Sequence, residues 1–314
     1  MRYIFIILSI ALIMIAPFIG QIDIDITKIN DIFSIEHKLF WELRLPRIVI
    51  AFFTGSLLSL SGLIFQSLFR NPMSTPFTLG VASGATLGSA FAIVFGFLHF
   101  VALFGFFGAI FTVVVLFSIT SRLKAFETTT LLLVGIALSF FYSAALMILF
   151  YISNETQSYE IVRFTMGSLD IVGMENTLPI VAAALLLLLA ALMYKKEIKI
   201  LLTSYENAFL KGVDVKKINR LLLIFVSIAI GVAVSITGPI GFVGLIVPHM
   251  LKMIYKRSAD TLLIPTFFYG GVFLVFCDLV SRNLSLSSDV PIGVITSFLG
   301  APFFVYLLVK RNRV

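Results

Sequence analysis

Charge is scarce in this chain. Only 12% of its 314 residues are Asp, Glu, Lys or Arg, against 60% hydrophobic residues and a mean hydropathy of +1.09. Soluble domains carry about a quarter charged residues, so a large water-soluble core is excluded and a polytopic membrane protein is indicated. One cysteine, Cys277, excludes an internal disulfide. Three isolated histidines and no Cys/His cluster argue against a protein-built metal site, and no cofactor is expected. The signatures of an intramembrane enzyme are missing too: His-Glu-x-x-His, Gly-x-Ser-x-Gly, or paired acids near a membrane face. Such an enzyme, lacking any recognisable motif, is the remote alternative. There is no Gly-x4-Gly-Lys-Ser/Thr loop, so the energy of any driven transport must come from a partner. Gradient-driven carriers bury ionisable relays mid-membrane. Here only Asp278 lies clearly within a span, near its end and at i,i+4 spacing from Arg282.

What is present is a succession of apolar runs. They predict an all-α, ten-span membrane protein forming one domain over 1–314. The spans fall at about 3–20, 46–69, 79–97, 100–120, 128–151, 177–194, 221–237, up to Tyr255, 261–280 and 291–309. No small-residue cleavage site follows the first run, which reads as a span and not a removed signal. With both termini cytoplasmic, inner segments hold 17 Lys and Arg and 5 acids, a net of +12; outer segments hold 6 and 11, a net of −5. Basic residues favour the cytoplasmic side. The overall charge of +7 therefore needs no nucleic-acid partner.

The most informative stretch runs from Leu43 to Gly88. Arg44-Leu45-Pro46-Arg47 opens a run free of charge from Ile48 to Leu68, which Arg70-Asn71-Pro72 closes. Gly55, Ser59, Gly62 and Gln66 share one helix face, and Gly80, Gly84 and Gly88 repeat the small-xxx-small pattern on the next span. Farther on, Gly238, Gly241 and Gly244 surround a proline-broken helix start, again suited to close helix crossing. The longest basic segment, about 195–220, carries capping-box spacing at Thr203 and Glu206 and a helix stop at Gly212. Its short helix either lies solvated on the membrane or meets a partner. His249 reads as a packing or cap residue.

These motifs, with Leu79-Gly80-Val81-Ala82-Ser83-Gly84-Ala85, Gly238 to His249 and Leu299-Gly300-Ala301-Pro302-Phe303-Phe304, closely resemble the permease subunits of bacterial ATP-driven importers for iron–siderophore complexes and cobalamin, the FecCD-type family. The resemblance implies a ten-helix permease in the bacterial cytoplasmic membrane. It pairs with an identical or homologous second permease, two ATPase subunits and an extracytoplasmic substrate-binding protein. The implied cargo is an iron–siderophore chelate, with cobalamin or haem as the alternative. Arg44, Arg47 and Arg282 match positions that dock the binding protein in the cobalamin permease; membrane anchoring is their other reading. Glu206, Ala208 and Gly212 match the loop that couples to the ATPase. Thr128 and Thr129 match a gating pair and could equally cap the fifth span.

Overall fold

The computed structural model describes residues 2–22, 24–121, 128–170, 173–175, 177–201, 214–256, 258–284 and 289–311. The helices that matter below are α1 (Arg2–Ile15), α2 (Leu45–Leu68), α3 (Val81–Val94), α4 (Val101–Ser121), α5 (Thr128–Ile152), α6 (Glu155–Thr165), α7 (Thr177–Met193), α8 (Lys195–Leu201), α9 (Val215–Thr237), α10 (Val243–Tyr255), α11 (Ala259–Leu284) and α12 (Ile292–Arg311). No strand occurs among the described residues. Among the described residues five helices are long and apolar enough to cross a membrane, or six if the pair α7–α8, bent by 66°, is one broken span; four shorter apolar helices occupy the remaining predicted spans. Each of the ten expected spans meets an apolar helix among the described residues, but only five or six of these have membrane length, so the count of ten is approximate.

α2 is the centre of the bundle. Its membrane-length window is 83% buried, whereas that of α5 is 17% buried. Helices α11, α10 and α7 pack around it. The small-residue face explains how closely. A Cβ at Gly55 would stand 2.3 Å from the Gly270 carbonyl oxygen, and one at Gly62 would stand 1.8 Å from that of Gly244. Between them Ser59 Oγ donates to Thr266 O at 2.8 Å, so a polar side chain is satisfied where the backbones meet. The α3–α4 crossing follows the same pattern: Gly84 and Gly88 lie against Gly108 and Phe104 backbone.

Three glycines depart from the expected packing pattern. Gly238 (φ 68°) lies outside any helix; it caps the end of α9 and lies against the Phe164 carbonyl. Gly80 (φ 75°) is not within a helix; it ends the Pro76–Leu79 turn in a left-handed conformation and starts α3. Gly241 meets nothing within 4 Å of where a Cβ would stand. One residue on, Phe242 adopts φ 66° at the N-cap of α10, a strain of about 1–2 kcal/mol for a residue with a Cβ. Its ring lies against Gly300 of α12, which accounts for the bulky residue being held there.

The polar segment after α5 contains a helix the span pattern does not suggest. α6 begins at a reciprocal cap: Asn154 accepts from Gln157 N–H, and Gln157 accepts from Asn154 N–H. It brings Arg163 and the following Gly167–Asp170 turn onto the bundle end where α2 begins. That end is called the Arg47 end below, and the opposite one the Arg70 end.

Candidate functional site

At the Arg47 end, ionisable groups from four separate parts of the chain converge. A π-type turn over Leu39–Arg44 leads into α2, and Pro46, which lacks an N–H, leaves the Glu42 carbonyl four residues back free to accept from Gly173 N–H at 2.8 Å. This entry places Arg44 and Arg47 one turn apart, turned inward. Arg47 Nε donates to Asp278 Oδ1 of α11 at 2.8 Å. Its Nη1 donates to Asp170, after α6, and to Asp289, before α12, each at 2.5 Å. Arg163 pairs with the second oxygen of Asp170 at 3.3 Å. Arg282 Nε faces Asp278 Oδ2 at 3.0 Å as an ion pair without hydrogen-bond alignment.

Three arginines thus face three aspartates, and the cluster is neutral. Balance matters here because the Asp278 side chain is 0% exposed, and a buried charge persists only when paired and hydrogen-bonded. The i,i+4 pairing of Asp278 with Arg282 is present, but Arg47 is the hydrogen-bonded partner.

Arg44 and Arg282 differ from an exposed rim. They are 8% and 6% exposed. Arg44 donates to the carbonyls of Pro17, Phe18 and Ile22. Arg282 donates to those of Ile19 and Ala16. Both guanidiniums therefore satisfy backbone oxygens left unpaired where α1 ends, a use that suits a fork of several N–H donors. Both also line a cleft of about 380 Å³ together with Arg47, Arg163, Asp170 and Asp289, whose other wall includes Gly20, Leu39 and Leu43.

Toward the Arg70 end a second polar chain crosses the same helices. Gln66 Nε2 donates to Gly244 O at 3.2 Å, and Lys252 Nζ donates to Gln66 Oε1 at 2.9 Å. Arg70 Nε donates to Leu201 O at 3.1 Å, fastening the end of α8 to the turn after α2. Among the described residues no grouping of His, Cys, Asp and Glu could hold a metal ion. Nothing here arranges a nucleophile, a base and an oxyanion site. The geometry holds helices together and leaves apolar faces uncovered.

Other expected site residues fall elsewhere. Glu206, Ala208 and Gly212 lie outside the described residues, as does the Thr203 cap. Thr128 and Thr129 open α5, but their side chains are not among those described. Sequence reasoning missed Asp170, Asp289, Arg163 and Lys252. Lys252 had one available signal, a lone cation within an apolar helix.

The FecCD transport family matches residues 7–310. The cobalamin import system permease BtuC of Halobacterium salinarum is 37% identical over 281 residues, which cover 86% of this chain and 73% of its own. The hemin transport system permease HmuU of Yersinia pestis is 34% identical over 284 residues, covering 88% and 84%. A solved inward-facing ABC transporter described as of the metal-chelate type superposes with a TM-score of 0.88 at 30% identity, covering 97% of both chains. The chain belongs to the FecCD transport family and is a multi-pass membrane permease, a transport component of an ABC importer and not an enzyme.

Proposed function

We propose that this permease carries an iron–siderophore chelate across the bacterial cytoplasmic membrane. The observation that supports it is the likeness over the whole fold to transporters named for iron chelatin, haem, cobalamin and metal chelates, cargoes that hold a metal inside an organic ligand; a molybdate permease is also among the relatives. Uptake of radio-iron from a panel of siderophores, with and without the gene, tests the cargo. Loss of siderophore uptake on deletion is expected. Loss of haem or cobalamin uptake instead would reassign the cargo.

The pathway forms between two permease chains. In support, α5 is a membrane-length helix buried over only 17% of its window, with Phe140 73% and Tyr151 91% exposed, and α12 exposes Phe298 to 77%. Apolar faces this extensive suit a second chain as well as lipid. The Lys/Arg bias supports a cytoplasmic Arg70 end and cytoplasmic termini, with the Arg47 end outside as the docking face for a binding protein. A carboxylate of that protein must compete with Asp170 and Asp289 for Arg47.

Two ATPase subunits couple through the 195–220 loop. Arg70 and α8 brace that loop's start against α2. Glu206→Arg should leave insertion intact yet cut ATPase co-purification and transport together. Unchanged co-purification and uptake would remove the loop from the coupling interface.

A further inference from the structure

Helices α4 and α9 meet tightly at one end and part toward the other. Near the Arg47 end a Cβ on Gly231 would stand 2.9 Å from Ala109 Cβ, and one on Gly105 would stand 3.1 Å from Ser235 Cβ. Toward the Arg70 end the small residues give way to Ile110, Val113 and Val114 on α4 and Ile224 and Ile228 on α9. Branched side chains cannot approach as glycine does, so the helices leave a groove of about 560 Å³ between them. That size falls within the roughly 300–1,000 Å³ of small-molecule sites.

The polar groups of the groove are not scattered. Arg220, Ile224, Ser227 and Ile228 fall on one face of α9, and Ser118 closes the same groove from α4. Arg220 has neither an ion pair nor a hydrogen bond among the described residues, and Lys217 lies one turn before it, also exposed. Asp214 is spent as the α9 cap, accepting from Lys217 N–H at 3.0 Å. Ser227 is 3% exposed, lines the groove and has no hydrogen-bond partner among the described residues. Among the described residues the groove therefore offers a cation without a partner at its mouth, an unused hydroxyl donor about two helical turns deeper, and apolar walls.

We propose that this groove is a binding site for an anionic glycerophospholipid. Arg220, with Ser118 beside it, takes the phosphate, Ser227 donates to an acyl ester carbonyl, and one chain lies along Ile110, Val114, Ile224 and Ile228. The site rests only on the chain spanning a membrane, and basic pockets between membrane helices select anionic headgroups for the same electrostatic reason. The stripe is amphipathic along its length, with charge at the bilayer surface and hydrocarbon inside, which is the layout of a lipid and of few other ligands. α4 is buried over only 22% of its window, so the groove is reachable from the bilayer.

Native mass spectrometry of the full-length permease complex, exchanged into phosphatidylglycerol and phosphatidylcholine mixtures, tests the assignment. Wild-type protein should retain phosphatidylglycerol about fivefold more than phosphatidylcholine, the factor for one basic residue near a lipid phosphate. Arg220→Gln should bring the two lipids to parity, and Arg220→Lys should keep the preference. Ile224→Trp, which fills the groove without touching the cation, should lower retention of both lipids. Equal retention by wild type, or an unchanged preference in Arg220→Gln, overturns the site. Loss of ATPase or of the second permease chain in Arg220→Gln, with lipid retention unchanged, would show the groove to be a protein interface instead.

Discussion

Arg47→Ala should destabilise the permease by about 3–5 kcal/mol, the cost of removing one partner from a buried ion pair. The mechanism is specific. Asp278 would keep only Arg282, which meets it without hydrogen-bond alignment, while Asp170 and Asp289 would lose their shared donor. Three carboxylates would then face two arginines. Thermal unfolding of the detergent-purified chain should show the loss, and Asp278→Ala should show a similar one. The double variant should cost clearly less than the sum, because each single change strands the other's charge. Additive losses would mean the pair is not coupled. Arg47→Lys separates stability from docking. It keeps the charge, but a single ammonium cannot reproduce a fork that reaches three carboxylates. The melting loss should be smaller, yet stimulation of ATP hydrolysis by the binding protein should fall. Unchanged stimulation would take Arg47 out of the docking surface.

Gly62→Ala is the second large effect. A single methyl there would stand 1.8 Å from Gly244 O and 2.5 Å from its carbonyl carbon. Neither atom belongs to a side chain that could rotate aside, so α2 and α10 must separate. Overpacking costs about 1–3 kcal/mol where side chains can adjust, and this site falls at or above that upper end. Separation would also break the hydrogen bond from Gln66 to Gly244 O, worth about another 1 kcal/mol. Folded yield should collapse or the melting temperature fall steeply. Gly241→Ala, three residues before Gly244 and with nothing within 4 Å, should change stability by no more than about 0.5 kcal/mol. Similar losses for both would show that Gly241 is also packed.

The two sites differ in how far they could be read from residues alone. The face carrying Gly55, Ser59, Gly62 and Gln66 is a local pattern, visible because side chains three and four apart share a helix surface. Gly244 and Gly270 are visible as small residues, but which face meets which is not, because every small-residue face fits the same rule. The Arg47 cluster is harder still. Its members lie 123, 231 and 242 residues from Arg47, and no periodicity connects them. Of the three aspartates only Asp278 announced itself, as a charge inside an apolar run; Arg47 and Arg282 stood out as candidates, but not as its partners across the bundle. The burial of Arg44 and Arg282 was hidden for another reason. Their acceptors are backbone carbonyls of Ala16 to Ile22, and any residue supplies a carbonyl. α6, by contrast, carries a local signal that the span pattern passes over, the Asn154–Gln157 spacing of a reciprocal helix cap.

The central position of α2 has a consequence for the order of events during synthesis. The helix leaves the ribosome second, yet the Asp278 that holds its first turn is 231 residues downstream. At about 5–20 residues per second, that is a wait of roughly 10–50 s in the translocon or in lipid. Part of its polar face can wait unaided. Ser67 Oγ donates to Leu63 O, and Ser59 Oγ reaches Ser56 O as well as Thr266 O, so both hydroxyls have an acceptor in their own helix. Gln66 and Arg47 do not share that provision: their partners sit on α10, on α11 and in the loops after α6 and before α12. The nascent protein must therefore shelter the amide until its last third is made and the guanidinium until at least Asp170 has followed, and α2 becomes the core of the bundle only after nearly everything else has arrived.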